Sequence, residues 1–268
     1  GTEANLYAMA AARMFTGREA IMVFNGAYHG GVFYFGQAKP PINAPFPWVV
    51  APYNDTEATL KLIDANAGRL AAIVIEPMMG GGGAIAAEPA LLGALREAAT
   101  RHGIVLIFDE VMTSRLAPGG LQEKLGVTPD MTSFGKYLGG GMTFGAFGGR
   151  ADILRRFNPF EPDAVSHAGT FNNNVLSMAA GVVGLRDIYT PELAVTFNAR
   201  GDRLRERLNA LAAKHDVPFQ ALGVGSILGL HHQRGAIRRP EHTWLADPAA
   251  AARQADLQKL FHLDMLAA

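Results

Sequence analysis

Three features of the sequence predict an α/β fold with a mostly parallel central sheet flanked by helices. First, apolar runs rich in Ile and Val, at Ala20–Phe24, Ala71–Ile75 and Ile104–Phe108, are bounded by turn residues and read as buried strands. Second, a helical pattern fills the gap between the last two. From Pro89 to His102 it sets Leu91, Leu92, Leu95 and Ala98 on one face, with Pro89 in the first turn and Gly103 at the stop. Strand, helix, strand at this spacing builds a parallel pair, because parallel neighbours need a crossover between them. Third, the 31 glycines cluster at Gly80–Gly83, Gly139–Gly141 and Gly148–Gly149, which points to tight turns and not to a linker.

The remaining elements follow in order. A helix opens at Gly1-Thr2-Glu3-Ala4-Asn5 and runs to Gly17, while Met131–Phe134 and Phe144–Phe147 are two further strands. Val175 to Tyr189 is a helix, and from Pro191 to His215 the pattern becomes a long charged amphipathic helix. Two short apolar runs come next, Pro218–Leu222 and Ser226–His231. This change of character places a domain boundary near residue 190. Residues 1–190 form a large domain and residues 191–268 the start of a smaller α+β domain, as a length of 268 suggests.

Composition narrows the partners. Hydrophobic residues make up 49% and charged residues 18%, enough for a buried core and too apolar for a disordered chain. Lys+Arg and Asp+Glu both total 24, so no basic excess argues for nucleic acid or an anionic membrane. The longest stretch free of charge, Ala164 to Leu185, contains His167 and Asn172 to Asn174, which argues against a membrane span. No signal peptide is visible, and the lack of cysteine removes thiolate chemistry and suits a reducing cytoplasm.

Several common motifs fail. Gly135-Lys136 is followed by Tyr137, and Asp130 stands where a phosphate-binding loop needs glycine. The dinucleotide pattern fails at both glycine clusters, at Ile85 and Phe144, which disfavours a nicotinamide-dependent dehydrogenase. There is no HExxH and no nucleophile elbow around Ser226. His231-His232 would point to opposite faces of a strand and so make a poor metal pair.

What remains is a constellation. Lys136 lies in Ser-Phe-Gly-Lys-Tyr-Leu-Gly-Gly-Gly between a strand and a glycine turn, where partial burial is expected to make its amine nucleophilic. Taken alone, it reads better as a surface lysine beside a flexible turn. Asp109 ends an apolar strand in Ile-Phe-Asp-Glu-Val and needs a cationic partner there; a protonated pyridine nitrogen is one. The start of the first helix, with the Thr2 hydroxyl, suits a phosphate or simple capping. Tyr28, in Tyr-His-Gly, either stacks on a flat ring or packs.

The order of these signals resembles the class III aminotransferases, pyridoxal-phosphate enzymes of fold type I. The resemblance runs from Gly1 to about Leu230. It rests on Gly-Thr-Glu-Ala-Asn, Tyr-His-Gly, Glu-Pro-Met-Met-Gly, Phe-Asp-Glu-Val-Met-Thr, Phe-Gly-Lys-Tyr-Leu-Gly-Gly-Gly and His-Ala-Gly-Thr-Phe-Asn-Asn-Asn. It implies that Lys136 forms the internal aldimine with pyridoxal 5'-phosphate and later moves the proton between Cα or Cβ and the cofactor. Asp109 would pair with the pyridine nitrogen, Val111 and Tyr28 would cover the two ring faces, and Glu76 would act as an orienting carboxylate. Gly1 and Thr2 would hold the phosphate, joined by Thr170 from the neighbouring subunit of a homodimer. The implied partners are an amino donor and a 2-oxo acid acceptor, with no metal.

The sequence also departs from the family. Met79 stands where many members carry a glutamine that contacts the ring hydroxyl, and no asparagine lies near Gly81 as in glutamate-1-semialdehyde aminomutases. Phe171-Asn172-Asn173-Asn174 is more similar to aminotransferases of β-amino acids such as β-phenylalanine. The aminomutase remains the alternative. By the resemblance, segments before Gly1 and after Ala268 are expected to be missing, among them the arginine that clamps the substrate carboxylate; Arg115 is near Asp109 and nothing more. An inactive fragment or non-catalytic homologue is therefore the competing reading from another class.

Overall fold

The computed structural model describes residues 1–37, 42–245 and 247–267. Helix α1 (Thr2–Thr16) leads into β1 (Ala20–Phe24), then β2 (Trp48–Ala51), α2 (Thr56–Asn66) and β3 (Leu70–Ile75). A two-residue pair, β4 (Met78–Met79) and β5 (Ile85–Ala86), precedes α3 (Pro89–His102) and β6 (Val105–Asp109). After α4 (Gly120–Leu125) come β7 (Met131–Gly135), β8 (Gly145–Gly149) and α5 (Ala151–Leu154). The chain continues through α6 (Val175–Val183), α7 (Pro191–Lys214), β9 (Gln220–Val224), β10 (Ile227–His231) and α8 (Pro248–Ala267).

The main sheet has the order β2-β1-β3-β6-β7-β8. Every pairing in it is parallel except the last, β7 with β8. Strands β1, β3 and β6 are buried at every residue, which is why they read as unbroken apolar runs. Helix α1 lays Ala4, Ala8, Met9, Ala11 and Ala12 against the sheet, its small residues allowing close approach. The predicted α3 forms as read, with Pro89 in its first turn and Gly103 left-handed at its end.

Two elements differ from expectation. The strand predicted at Phe144–Phe147 runs Gly145–Gly149, displaced because its register is set by antiparallel pairing to β7. The helix predicted to reach Tyr189 ends at Val183 and passes into a π-helical turn, Gly184–Ile188. There it meets the loop after β7 backbone to backbone: a Cβ on Gly140 would come within 2.3 Å of Ala180 O, and one on Gly181 within 2.4 Å of Leu138 O. Strands β9 and β10 pair only with each other, and His231 Nε2 reaches back 2.8 Å to Gly83 O. No helix among the described residues is long and apolar enough to cross a membrane.

Candidate active site

Adjacent parallel strands deliver the candidate residues to one edge of the sheet. Glu76 directly follows β3, Asp109 ends β6, Lys136 directly follows β7, and Tyr28 comes four residues after β1. Carboxyl ends of parallel strands are where α/β sheets gather ligand-binding groups, because the connecting loops diverge there and leave a crevice.

Asp109 is the most constrained of them. It is 5% exposed, and its Oδ2 accepts from Asn5 Nδ2 at 2.8 Å and sits 2.7 Å from His29 Nδ1. Its Oδ1 accepts from the Val111 N–H at 3.0 Å. Burial would push the carboxyl up, yet the bond to His29 and the further donors hold it below the usual aspartate range. In return, burial works against a charged His29 while Asp109 raises it above its ordinary value. Glu76 is the opposite case. Its two oxygens accept from the Tyr28 and Gly80 N–H groups, both at 3.0 Å, but burial pushes it up to about 7 despite His29 nearby.

The helix start lies beside Asp109. A Cβ on Gly1 would lie 2.9 Å from Val111 Cγ1, and one on Gly135 would lie 3.1 Å from the same atom and 3.4 Å from Gly1 N. Gly30 adopts φ +130 and cradles Thr2, whose Oγ1 sits 2.2 Å from where a Gly30 Cβ would be. Thr2, Tyr28, Asp109 and Val111 are thus linked through touching neighbours. An open cleft of about 770 Å³ begins at Gly1 and Thr2 and runs between Phe144 and Asn172–Asn174. Tyr7 and His167, both lining it, pack edge-on, 4.3 Å between ring centroids.

Lys136 is exposed, not partly buried as expected. Its charge is nevertheless felt at the Gly1 amine, as is that of Asp109, so it stands on the same side of the sheet edge as the helix start. Its backbone is left-handed, φ +51, an uncommon conformation for a non-glycine residue that clusters at functional sites. Tyr28 leaves 48% of its surface exposed, with Tyr34 edge-on at 5.9 Å. Thr170 is exposed on the loop before α6, and its hydroxyl has no hydrogen bond among the described residues. Met79 is fully buried beneath Gly26 and Gly82, as a core side chain. The Arg115 guanidinium lies over the rings of Tyr189 and Phe197, at 5.6 and 5.8 Å, and is occupied there.

This set fits a flat, phosphorylated heteroaromatic ring. A buried carboxyl held below its usual range could face a ring N–H, the aromatic Tyr28 is half exposed next in sequence to the His29 that touches that carboxyl, and a hydroxyl stands at a helix start that could take a phosphate. The class III aminotransferase model matches residues 1–255. This chain belongs to the class III aminotransferase family. It is 51% identical over 241 residues to a β-phenylalanine transaminase of Variovorax paradoxus, covering 90% of this chain and 55% of that protein. A glutamate-1-semialdehyde 2,1-aminomutase of Sorangium cellulosum is 39% identical, covering 100% of this chain and 62% of the relative. Among solved structures, the Variovorax paradoxus β-phenylalanine aminotransferase superposes with a TM-score of 0.89 at 50% identity, over 92% of this chain and 57% of that one. A transaminase solved with PLP bound gives 0.78 at 30% identity, over 89% and 59%. The chain thus spans little more than half the length of the relatives it matches, and the fold is that of the fold type I transaminases.

Two residues escaped the sequence reading. Asn5 and His29 both lie inside quoted motifs, Gly-Thr-Glu-Ala-Asn and Tyr-His-Gly, and both converge on Asp109. The signal was a polar side chain placed where a buried helix face or a strand end leaves no solvent for it.

Proposed function

We propose that the protein is a pyridoxal-phosphate-dependent aminotransferase that moves an amino group between a β-amino acid and a 2-oxo acid. The observation that carries this is the buried Asp109, its carboxyl held below the usual aspartate range, on the strand beside the one that Lys136 directly follows. The 51% identity to a β-phenylalanine transaminase supports the choice of substrate. When bound, pyridoxal phosphate supplies an electron sink for a carbanion next to nitrogen. The protein's share is positioning and proton transfer. Asp109 would keep a proton on the ring nitrogen, and Thr2 with the Gly1 backbone would hold the phosphate. Tyr28 and Val111 would cover the ring and exclude water, and Glu76 accepts the Tyr28 backbone N–H and so fixes that residue. Lys136 Nζ would hold the cofactor and would then move the proton between the amine-bearing carbon of the substrate and the cofactor.

A homodimer belongs to the same proposal, with Thr170 serving the other subunit's phosphate. Its support is the apolar outer face near that loop, where Phe171, Val175 and Leu176 are 80%, 78% and 66% exposed. So does a cytoplasmic location, in keeping with a cysteine-free chain. Residues 1–190 and 191–268 are proposed as parts of two domains, since β9 and β10 form a sheet of their own.

The test is a visible spectrum after incubation with pyridoxal phosphate, repeated after borohydride. The expected result is a band that borohydride fixes onto the peptide containing Lys136, absent in Lys136→Ala while the fold persists. Normal turnover by Lys136→Ala would sink the assignment. Amino transfer from a β-amino acid only when a 2-oxo acid is present separates this reading from an aminomutase.

A further inference from the structure

We propose that His29 and Asn5 are positioning residues that saturate one oxygen of Asp109 and so reserve the other for the cofactor's ring nitrogen. The proposal rests on the functional reading above. Both donors converge on Oδ2, at 2.7 Å from His29 Nδ1 and 2.8 Å from Asn5 Nδ2. Oδ1 receives a single bond, from the Val111 N–H. A carboxylate oxygen has about two acceptor sites. Oδ2 is therefore full, and Oδ1 keeps one unclaimed.

The donors are themselves fixed. Asn5 is 1% exposed, and its Nδ2 also donates to His29 O at 2.9 Å while its Oδ1 accepts from Ser133 Oγ. Two acceptors facing one end of the amide decide which end is nitrogen. His29 is 2% exposed, and facing a carboxylate its Nδ1 must carry the proton. Its Nε2 is buried with no partner. A side chain kept for packing alone would be a hydrocarbon, which leaves no orphaned nitrogen. The ring is kept for Nδ1.

The resulting line, Ser133–Asn5–Asp109–His29, ties the carboxylate to β7 just ahead of Lys136 and to α1, whose first residue is Thr2. The imidazole faces two carboxyls, Asp109 from β6 and Glu76 after β3; α1 and β7 present the neutral Asn5 and Ser133. Removing either donor leaves Oδ2 short of a bond and makes Asp109 easier to protonate, so function that needs its charge fails at a higher pH.

The experiment titrates the visible band of the cofactor-loaded protein with pH, alongside kcat and KM, for wild type, His29→Leu, Asn5→Leu and His29→Gln. In both leucine variants the acid transition of the band should move to higher pH. Their kcat should fall about 10- to 100-fold with KM for the amino donor little changed, the range expected for one charge-assisted hydrogen bond. His29→Gln, which keeps an N–H for Oδ2, should recover most of both. Unmoved transitions in the leucine variants, or a glutamine variant no better than leucine, overturn the proposal. If wild type itself takes up no cofactor, the functional reading fails instead. In that case, or if a variant does not fold, NMR of ring-labelled histidine decides. A protonated Nδ1 whose signal shifts in Asp109→Asn supports the proposal, and an unprotonated Nδ1 overturns it.

Discussion

Replacing Gly30 with alanine should loosen the start of α1 and the phosphate grip proposed there. The new Cβ would stand 2.2 Å from Thr2 Oγ1, 2.6 Å from its Cβ and 2.7 Å from its Cγ2. No rotation of Thr2 relieves this, because its own Cβ is among the clashing atoms. Carbon atoms pack at about 3.5 Å, so the first turn of α1 must retreat by roughly 1 Å. Holding alanine near φ +130 costs on the order of 1–3 kcal/mol, and the overpacking about as much again. A total of about 2–6 kcal/mol corresponds to a melting temperature roughly 5–20 °C lower for a chain of this size. Gly31→Ala is the control, since a Cβ there meets nothing within 4 Å. The assay is calorimetric melting with and without pyridoxal phosphate, plus a cofactor titration. If Gly30→Ala melts and binds as Gly31→Ala does, the steric account of this turn is wrong.

Three more outcomes follow from the same geometry. Asp109→Asn should retain cofactor within about tenfold yet lose more than about 100-fold in kcat, as expected when a charge that stabilises the transition state is removed; equal losses in Kd and kcat would refute its role. Glu76 has a folded pKa of about 7, raised above its ordinary value of 4.5. It therefore contributes stability that is full below 4.5 and is lost as pH rises through about 7, on the order of 3 kcal/mol. The urea midpoint difference between wild type and Glu76→Gln should shrink across that window, and a constant difference would exclude a buried carboxyl that stays protonated. Val182, 54% exposed on α6, becomes the place to break the proposed dimer: Val182→Glu should sediment as a monomer at concentrations where wild type is dimeric.

What the sequence disclosed follows from burial. Strands β1, β3 and β6 are covered on both faces, and that condition writes a continuous apolar run. Strand β2 is a half-buried edge of four residues, and α2 buries only Thr59 and Ile63, so neither leaves a periodic trace strong enough to read. Asp109 and Lys136 were legible because a charge at the end of an apolar strand is anomalous in one dimension. The contacts of Asn5 and His29 were not, since their partner lies 104 and 80 residues away. The exposure of Lys136 was equally invisible, since it depends on how other segments of the chain pack around the end of β7.

Where Gly140 meets Ala180, and Gly181 meets Leu138, two main chains touch with no side chain between them. Side chains are the compliant part of a protein interior, changing rotamer before the backbone must move. That compliance is missing here, so α6 and the turn after Lys136 part only if main chain moves. The exposed Val175, Leu176 and Val182 of α6 are thereby tied, backbone to backbone, to the turn that carries Lys136.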